Sequence, residues 1–262
     1  MGADRGVEMQ RASSRGYTIA FEDVGAGPAV VLVPGFLQRA ADWRDRGYTA
    51  RLAATHRVLA IDPLGHGHSD KPHEWEAYRP PDVAADVVAV LDAAGVERAA
   101  VWGYSRGAAI AAVTAIEFPD RVEALIAGGM WLGVTPEVVK SFSSPGVGPL
   151  STGDWPGFWA TWGIAVPPEL KAYFETNDPR AMSAVSAAGY ESGYTGDVTR
   201  IATPTLLYCG ANDPFAPAMP MDAEILGVEL HLIPGHDHVG TFQAVDDVLP
   251  LALKHLQLHS GA

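Results

Sequence analysis

The chain has 262 residues, 48 % apolar and 19 % charged, which is enough for one large domain with a well-buried core. Its formal net charge of −13 repels phosphate backbones and anionic lipid, so neither nucleic acid nor a membrane is expected as a partner. A single cysteine, Cys209, excludes an internal disulfide; the opening MGADRGVEMQRASSRG has no secretory apolar run and no later run could span a bilayer, so a cytoplasmic location is expected.

Taken in order, Tyr17–Phe21 reads as an opening strand. Ala29–Val33 (AVVLV) is apolar throughout, the pattern of a strand buried on both faces, and Val58–Ile61 is another. Asp82–Ala94 sets Val83, Val87, Val88, Leu91 and Ala94 at helical spacing, with Asp82 to cap the start and Gly95 to close the end. Ala99–Trp102 is the next strand, followed by a helix from about Arg106 to Phe118 that stops before Pro119. Val122–Ala127, Thr205–Cys209 and Glu229–Ile233 read as strands, and a helix over about Val245–Leu256 ends the pattern. Buried strands alternating with helices predict an α/β fold with a mostly parallel sheet covered on both faces.

Residues 132–202 break this rhythm and are too long for a plain connection. Helical stretches are expected near 135–142, 155–163, 168–176 and 179–188, carrying Trp155, Phe158, Trp159, Trp162, Tyr173 and Phe174. The segment is read as a helical cap inserted over the carboxyl edge of the sheet, where ligands of such sheets bind. The core is then 1–131 with 203–262, and the cap is 132–202.

The segment Gly103-Tyr104-Ser105-Arg106-Gly107 matches the G-x-S-x-G turn that lifts a nucleophile between a strand and a helix. The glycines are needed because the chain reverses in one crowded turn. The serine hydroxyl then projects at a helix N-terminus, where developing negative charge is favoured. The pattern alone is weak; here AAVW before it and AAIAAVTAIEF after it supply the strand and helix it requires. A serine hydroxyl is a poor nucleophile without a base, usually a histidine oriented by a carboxylate.

These segments together resemble the α/β-hydrolase superfamily, in its capped single-domain branch of bacterial esterases and related hydrolases. The likeness is carried by VLVPGFLQRAADW (31–43), DPLGHGHSD (62–70), EFPDRVEAL (117–125), TPTLLYCGANDP (203–214) and IPGHDHVGTF (233–242). It implies Ser105 as nucleophile, Asp213 as the acid and His238 as the base, with His236 the competing histidine. It also implies the backbone amides of Phe36 and Arg106 as the oxyanion hole. Pro34 departs from the family, which usually has histidine there. His66 and His68 are expected to brace their loop by hydrogen bonding.

Arg106 puts a cation at a helix N-terminus, against the dipole. A salt bridge to Asp237 or Asp62 is expected to compensate it; the alternative is contact with a polar or anionic part of a substrate. Trp131, Trp155, Phe158, Trp159 and Trp162 are expected to line an apolar substrate pocket. No Cys/His or carboxylate spacing suggests a metal, and no cofactor loop is present in the sequence. The expectation is a cofactor-independent serine hydrolase of a small or medium, largely apolar ester or lactone. A C–C bond hydrolase is the rival enzyme, and a slow ligand-sensing protein is the rival of another class. Haloalkane dehalogenases and epoxide hydrolases are disfavoured because those relatives carry aspartate where this chain has Ser105. Oligomeric state is not readable.

Overall fold

The computed structural model describes residues 8–133, 147–192, 194 and 196–259, the side chain of Tyr190 excepted. Eight strands form one sheet: β1 (Met9–Ser14), β2 (Tyr17–Gly25), β3 (Ala29–Val33), β4 (Arg57–Asp62), β5 (Ala99–Tyr104), β6 (Val122–Gly128), β7 (Thr205–Gly210) and β8 (Leu230–Ile233). They lie in the order β1-β2-β4-β3-β5-β6-β7-β8. β2 runs antiparallel to both β1 and β4, and every other pairing is parallel.

The apolar strands are central because both their faces are covered. In β3, Val31 and Val33 join the core on one side, with Val83, Val87 and Ala111 of the flanking helices. Val30 and Leu32 point to the other side, against Trp43, Trp102 and Leu249. β1 escapes the sequence pattern because MQRASS has no apolar run; it is an edge strand joined to β2 by a tight hairpin at Arg15-Gly16, both with positive φ (52° and 87°). Two short helices, Ala40–Asp45 and Tyr48–Leu52, were also invisible to helical periodicity, being under two turns long.

Between β6 and β7 lie helices Trp155–Thr161, Pro168–Phe174 and Pro179–Glu191. The helix expected near 135–142 falls outside the described residues. The inserted helices are tied to the loop after β3. Arg39 Nε donates to Tyr173 Oη at 2.5 Å, Tyr173 Oη donates to Asp42 Oδ2 at 2.9 Å, and Asn177 Nδ2 donates to the Leu37 carbonyl at 3.0 Å.

Candidate active site

β5 ends at Tyr104 and a helix begins at Arg106, so Ser105 alone makes the turn, at φ 55° and ψ −126°. A non-glycine residue holds that conformation only when its surroundings impose it. The amide of Ser105 donates to the Gly128 carbonyl at 2.8 Å, which locks it. A Cβ on Gly103 would lie 2.0 Å from the Gly107 carbonyl oxygen, and one on Gly107 would lie 2.0 Å from that of Val33. The helix therefore sits against β3 and β5 at a distance that only glycine allows.

Two further loops leave the same edge of the sheet. Asp213 follows β7, and His238 opens the short helix His238–Gln243 after β8. His238 Nε2 lies 2.9 Å from Ser105 Oγ, and His238 Nδ1 lies 2.8 Å from Asp213 Oδ2. With Nδ1–H donating to the carboxylate, Nε2 presents its lone pair to the serine hydroxyl. The second oxygen, Asp213 Oδ1, accepts the Phe215 amide at 2.9 Å. Asp213 is 3 % exposed and His238 7 %, so the chain of hydrogen bonds is shielded from solvent. Tyr104, whose side chain had no role in the sequence reading, donates its hydroxyl to the His238 carbonyl at 2.6 Å and holds the imidazole's backbone.

The neighbours of His238 are occupied elsewhere. Asp237 caps the His238–Gln243 helix by accepting the Gly240 amide at 2.7 Å, and His236 turns to Asp247 at 3.3 Å. Cys209 is buried at the end of β7; burial first, then the charge of Asp213, pushes its thiol up, so it stays protonated at neutral pH.

The amides of Phe36 and Arg106 have no acceptor among the described residues. The first follows from the loop after β3, where the Gly35 amide is taken by Gln38 Oε1 at 2.9 Å and the Leu37 amide by His66 Nε2 at 3.3 Å. The second follows from helix geometry, since the first amides of a helix lack intrahelical partners. His66 is fully buried. Burial, with the nearby charge of Arg106, drives its pKa down to about 3, so it is a neutral brace whose Nδ1 lies 3.1 Å from the Leu64 carbonyl. Asp62 fixes the adjoining loops, accepting the Ala40 amide at 2.8 Å and the His68 amide at 2.7 Å.

The model of the α/β-hydrolase fold family matches residues 28–143. The whole chain superposes on an epoxide hydrolase from an endophytic Streptomyces with a TM-score of 0.79, covering 97 % of this chain and 96 % of that one at 22 % identity. The chain has the α/β-hydrolase fold. It is also similar to the enol-lactonase from Burkholderia xenovorans LB400 (TM-score 0.75, 19 % identity, 95 % of this chain and 100 % of the other). In sequence it is 41 % identical over 100 residues to epoxide hydrolase B of Mycobacterium tuberculosis. That match takes in 38 % of this chain and 28 % of the relative's length, so the two are alike over a part only.

Two cavities meet at Ser105. The larger, of about 470 Å³, is bounded by Phe36, Trp131, Phe158, Trp162, Met130 and Phe215 among others. The smaller, of about 50 Å³, is bounded by His238, Phe36, Trp162, Leu170 and Phe174 among others. Of the five aromatics expected along a substrate pocket, Trp131, Phe158 and Trp162 border the larger cavity, and Trp162 the smaller as well. Trp155 and Trp159 border neither. They stack on each other at 6.0 Å, and Trp159 donates its indole N–H to Glu175 at 2.7 Å, because a helix turns successive residues to different faces and theirs lies away from Ser105. Met130 and Phe215 were missed; the first follows the end of β6 by two residues and the second the end of β7 by five, and neither carries another sequence signal.

The expected salt bridge of Arg106 is absent: among the described residues it pairs with neither Asp237 nor Asp62 nor any other carboxylate. Both aspartates are spent on backbone amides, and the Arg106 side chain instead borders the large cavity.

Proposed function

We propose that the chain is a cofactor-independent serine hydrolase that cleaves small to medium carboxylic esters or lactones through an acyl-enzyme. The reading rests on one observation above the rest, the two hydrogen bonds joining Ser105, His238 and Asp213. Ser105 Oγ adds to the carbonyl carbon as its proton passes to His238 Nε2. The oxyanion that forms is met by the free amides of Phe36 and Arg106. The C–O bond to the leaving group then breaks, and the leaving oxygen takes the proton from His238. Water, deprotonated by His238, attacks the acyl-enzyme and frees Ser105 and the acid.

The two cavities divide the substrate. His238 must reach the leaving oxygen, and it borders only the small cavity, so a small leaving group sits there. The acyl part then fills the larger chamber, whose size suits a small-molecule ligand. In a lactone the two parts remain joined. The cytoplasm is the proposed setting, in keeping with a lone buried thiol and no helix long and apolar enough to cross a membrane among the described residues.

Epoxide hydrolysis, the activity named for several relatives, fits less well. Attack of a serine oxygen on an epoxide carbon would leave an ether, which water and an imidazole cannot cleave. An ester intermediate, and hence turnover, needs a carboxylate nucleophile at that position.

The test is multiple turnover on a panel of p-nitrophenyl esters and lactones, with a serine-directed phosphonate followed by mass spectrometry. Turnover and an adduct on Ser105 are expected. An adduct on another residue refutes the assignment; tight ligand binding without turnover on any member of the panel favours a sensing protein instead.

A further inference from the structure

The chamber beside Ser105 is walled by carbon, yet it holds one full charge. Of its described lining residues, Arg106 alone carries a formal charge at neutral pH. Its guanidinium makes no hydrogen bond and no ion pair with any described residue, and Nη1 is enclosed without a partner. The residue as a whole is half-buried, and it borders the chamber. The carboxylate whose field reaches it, Asp86, is already committed: it accepts Ser14 Oγ at 2.6 Å and pairs with Arg15 at 2.9 Å. Tyr78, on the same wall, spends its hydroxyl proton on the Pro72 carbonyl at 2.6 Å.

An unpaired cation in an apolar enclosure is unfavourable until an acceptor arrives. A guanidinium presents five N–H donors in a flat fork that fits a carboxylate with two parallel hydrogen bonds. Arg106 is also the residue after the nucleophile. Its backbone amide faces the scissile carbonyl while its side chain reaches the chamber that takes the acyl part.

We propose that Arg106 is a specificity residue that binds a carboxylate at the far end of the acyl chain. The preferred substrates are then half-esters of aliphatic dicarboxylic acids, or lactones bearing a carboxylate. This rests on the reading of Ser105 as nucleophile and of the large cavity as the acyl chamber. The overall charge of −13 disfavours such anions at the surface, and the one cation in the chamber supplies the local offset.

Binding is measured without catalysis. Ser105→Ala protein is titrated calorimetrically with the monomethyl and dimethyl esters of succinate, glutarate, adipate and suberate. At least one monoester is expected to bind roughly 10-fold tighter than its diester, as a charge-assisted pair replaces an unmet one. In Ser105→Ala/Arg106→Met the preference disappears. In Ser105→Ala/Arg106→Lys it persists in part, since the charge stays and the fork is lost. Circular dichroism verifies the fold of each variant. The proposal is overturned if every diester matches its monoester, if the Met variant keeps the preference, or if none of the eight compounds binds at millimolar concentration. Wild-type turnover of the same eight methyl esters is read in parallel. Turnover without anion preference refutes the Arg106 site alone; anion preference without turnover refutes the hydrolase reading and leaves the site standing.

Discussion

Replacing Arg106 by methionine should make the ligand-free protein more stable. The guanidinium has no partner, and burial brings its pKa down to about 10. A cation whose folded pKa lies below its unfolded one destabilises the fold wherever it is charged in both states. At pH 7 that condition holds, so the cost is present in full; it fades only as the pH rises through about 10. At 1.36 kcal/mol per pH unit, the drop from an ordinary guanidinium corresponds to about 3 kcal/mol. Water entering the chamber can solvate part of the group, so about 1–3 kcal/mol is the fair range. Methionine is unbranched, of similar reach, and suits the carbon walls. For a domain of this size each kcal/mol moves Tm by about 2–4 °C, which predicts a rise of about 2–12 °C. Differential scanning calorimetry at pH 7 on the wild type and Arg106→Met reads it directly. An unchanged or lower Tm would refute the reasoning, since the guanidinium would then be making interactions that stabilise the fold.

His238→Ala should lower kcat by roughly 10⁴-fold or more while His236→Ala keeps most activity, with both folded by circular dichroism; the reverse result would move the base to His236. Burial raises the pKa of Asp42 to about 6, so the folded state binds protons that the unfolded state has released, and stability falls as the pH rises from about 4 to 6. Asp42→Asn should remove that slope from a Tm-against-pH curve, and an unaltered slope would show that another group causes it. Gly107→Ala should cost at least about 3 kcal/mol or abolish soluble protein, because its Cβ would meet the Val33 carbonyl at 2.0 Å; a Tm within a few degrees of wild type would show that the turn can relax.

What the sequence made legible follows from how local each signal is. Strands β3 and β5 to β7 are apolar on both faces and declare themselves as runs, and Gly103-Tyr104-Ser105-Arg106-Gly107 sits between a strand and a helix that both read clearly. Asp213 and His238 were reached through the likeness of their segments to the family's acid and histidine segments, and the fold brings both to Ser105. The partners of Arg106 were not readable. Whether a cation finds a carboxylate depends on contacts between segments far apart in the chain, and both expected acids had been claimed by backbone amides. The same holds for Trp155 and Trp159, whose composition suggested a pocket wall while the face each presents was set by helix packing. β1 gave no signal because an edge strand with one polar face needs no apolar run.

The loop after β3 joins the chemistry to the inserted helices. The Phe36 amide is a proposed oxyanion donor, and the ring of the same residue stacks on Trp162 at 5.3 Å and meets Phe158 edge-on at 6.3 Å. The same loop holds the insert through Asn177 on the Leu37 carbonyl, and through Arg39 and Asp42 on Tyr173. The other proposed oxyanion donor, Arg106, starts a helix seated tightly against the sheet and does not share this link. Oxyanion stabilisation depends on donors already aimed at the developing charge, within a few tenths of an ångström. On the proposed reading, the inserted helices are therefore linked to one donor and not to the other. Phe158 and Trp162 line the larger cavity and touch the Phe36 ring, so on the proposed reading a ligand filling that cavity meets the same aromatic cluster that carries the Phe36 donor.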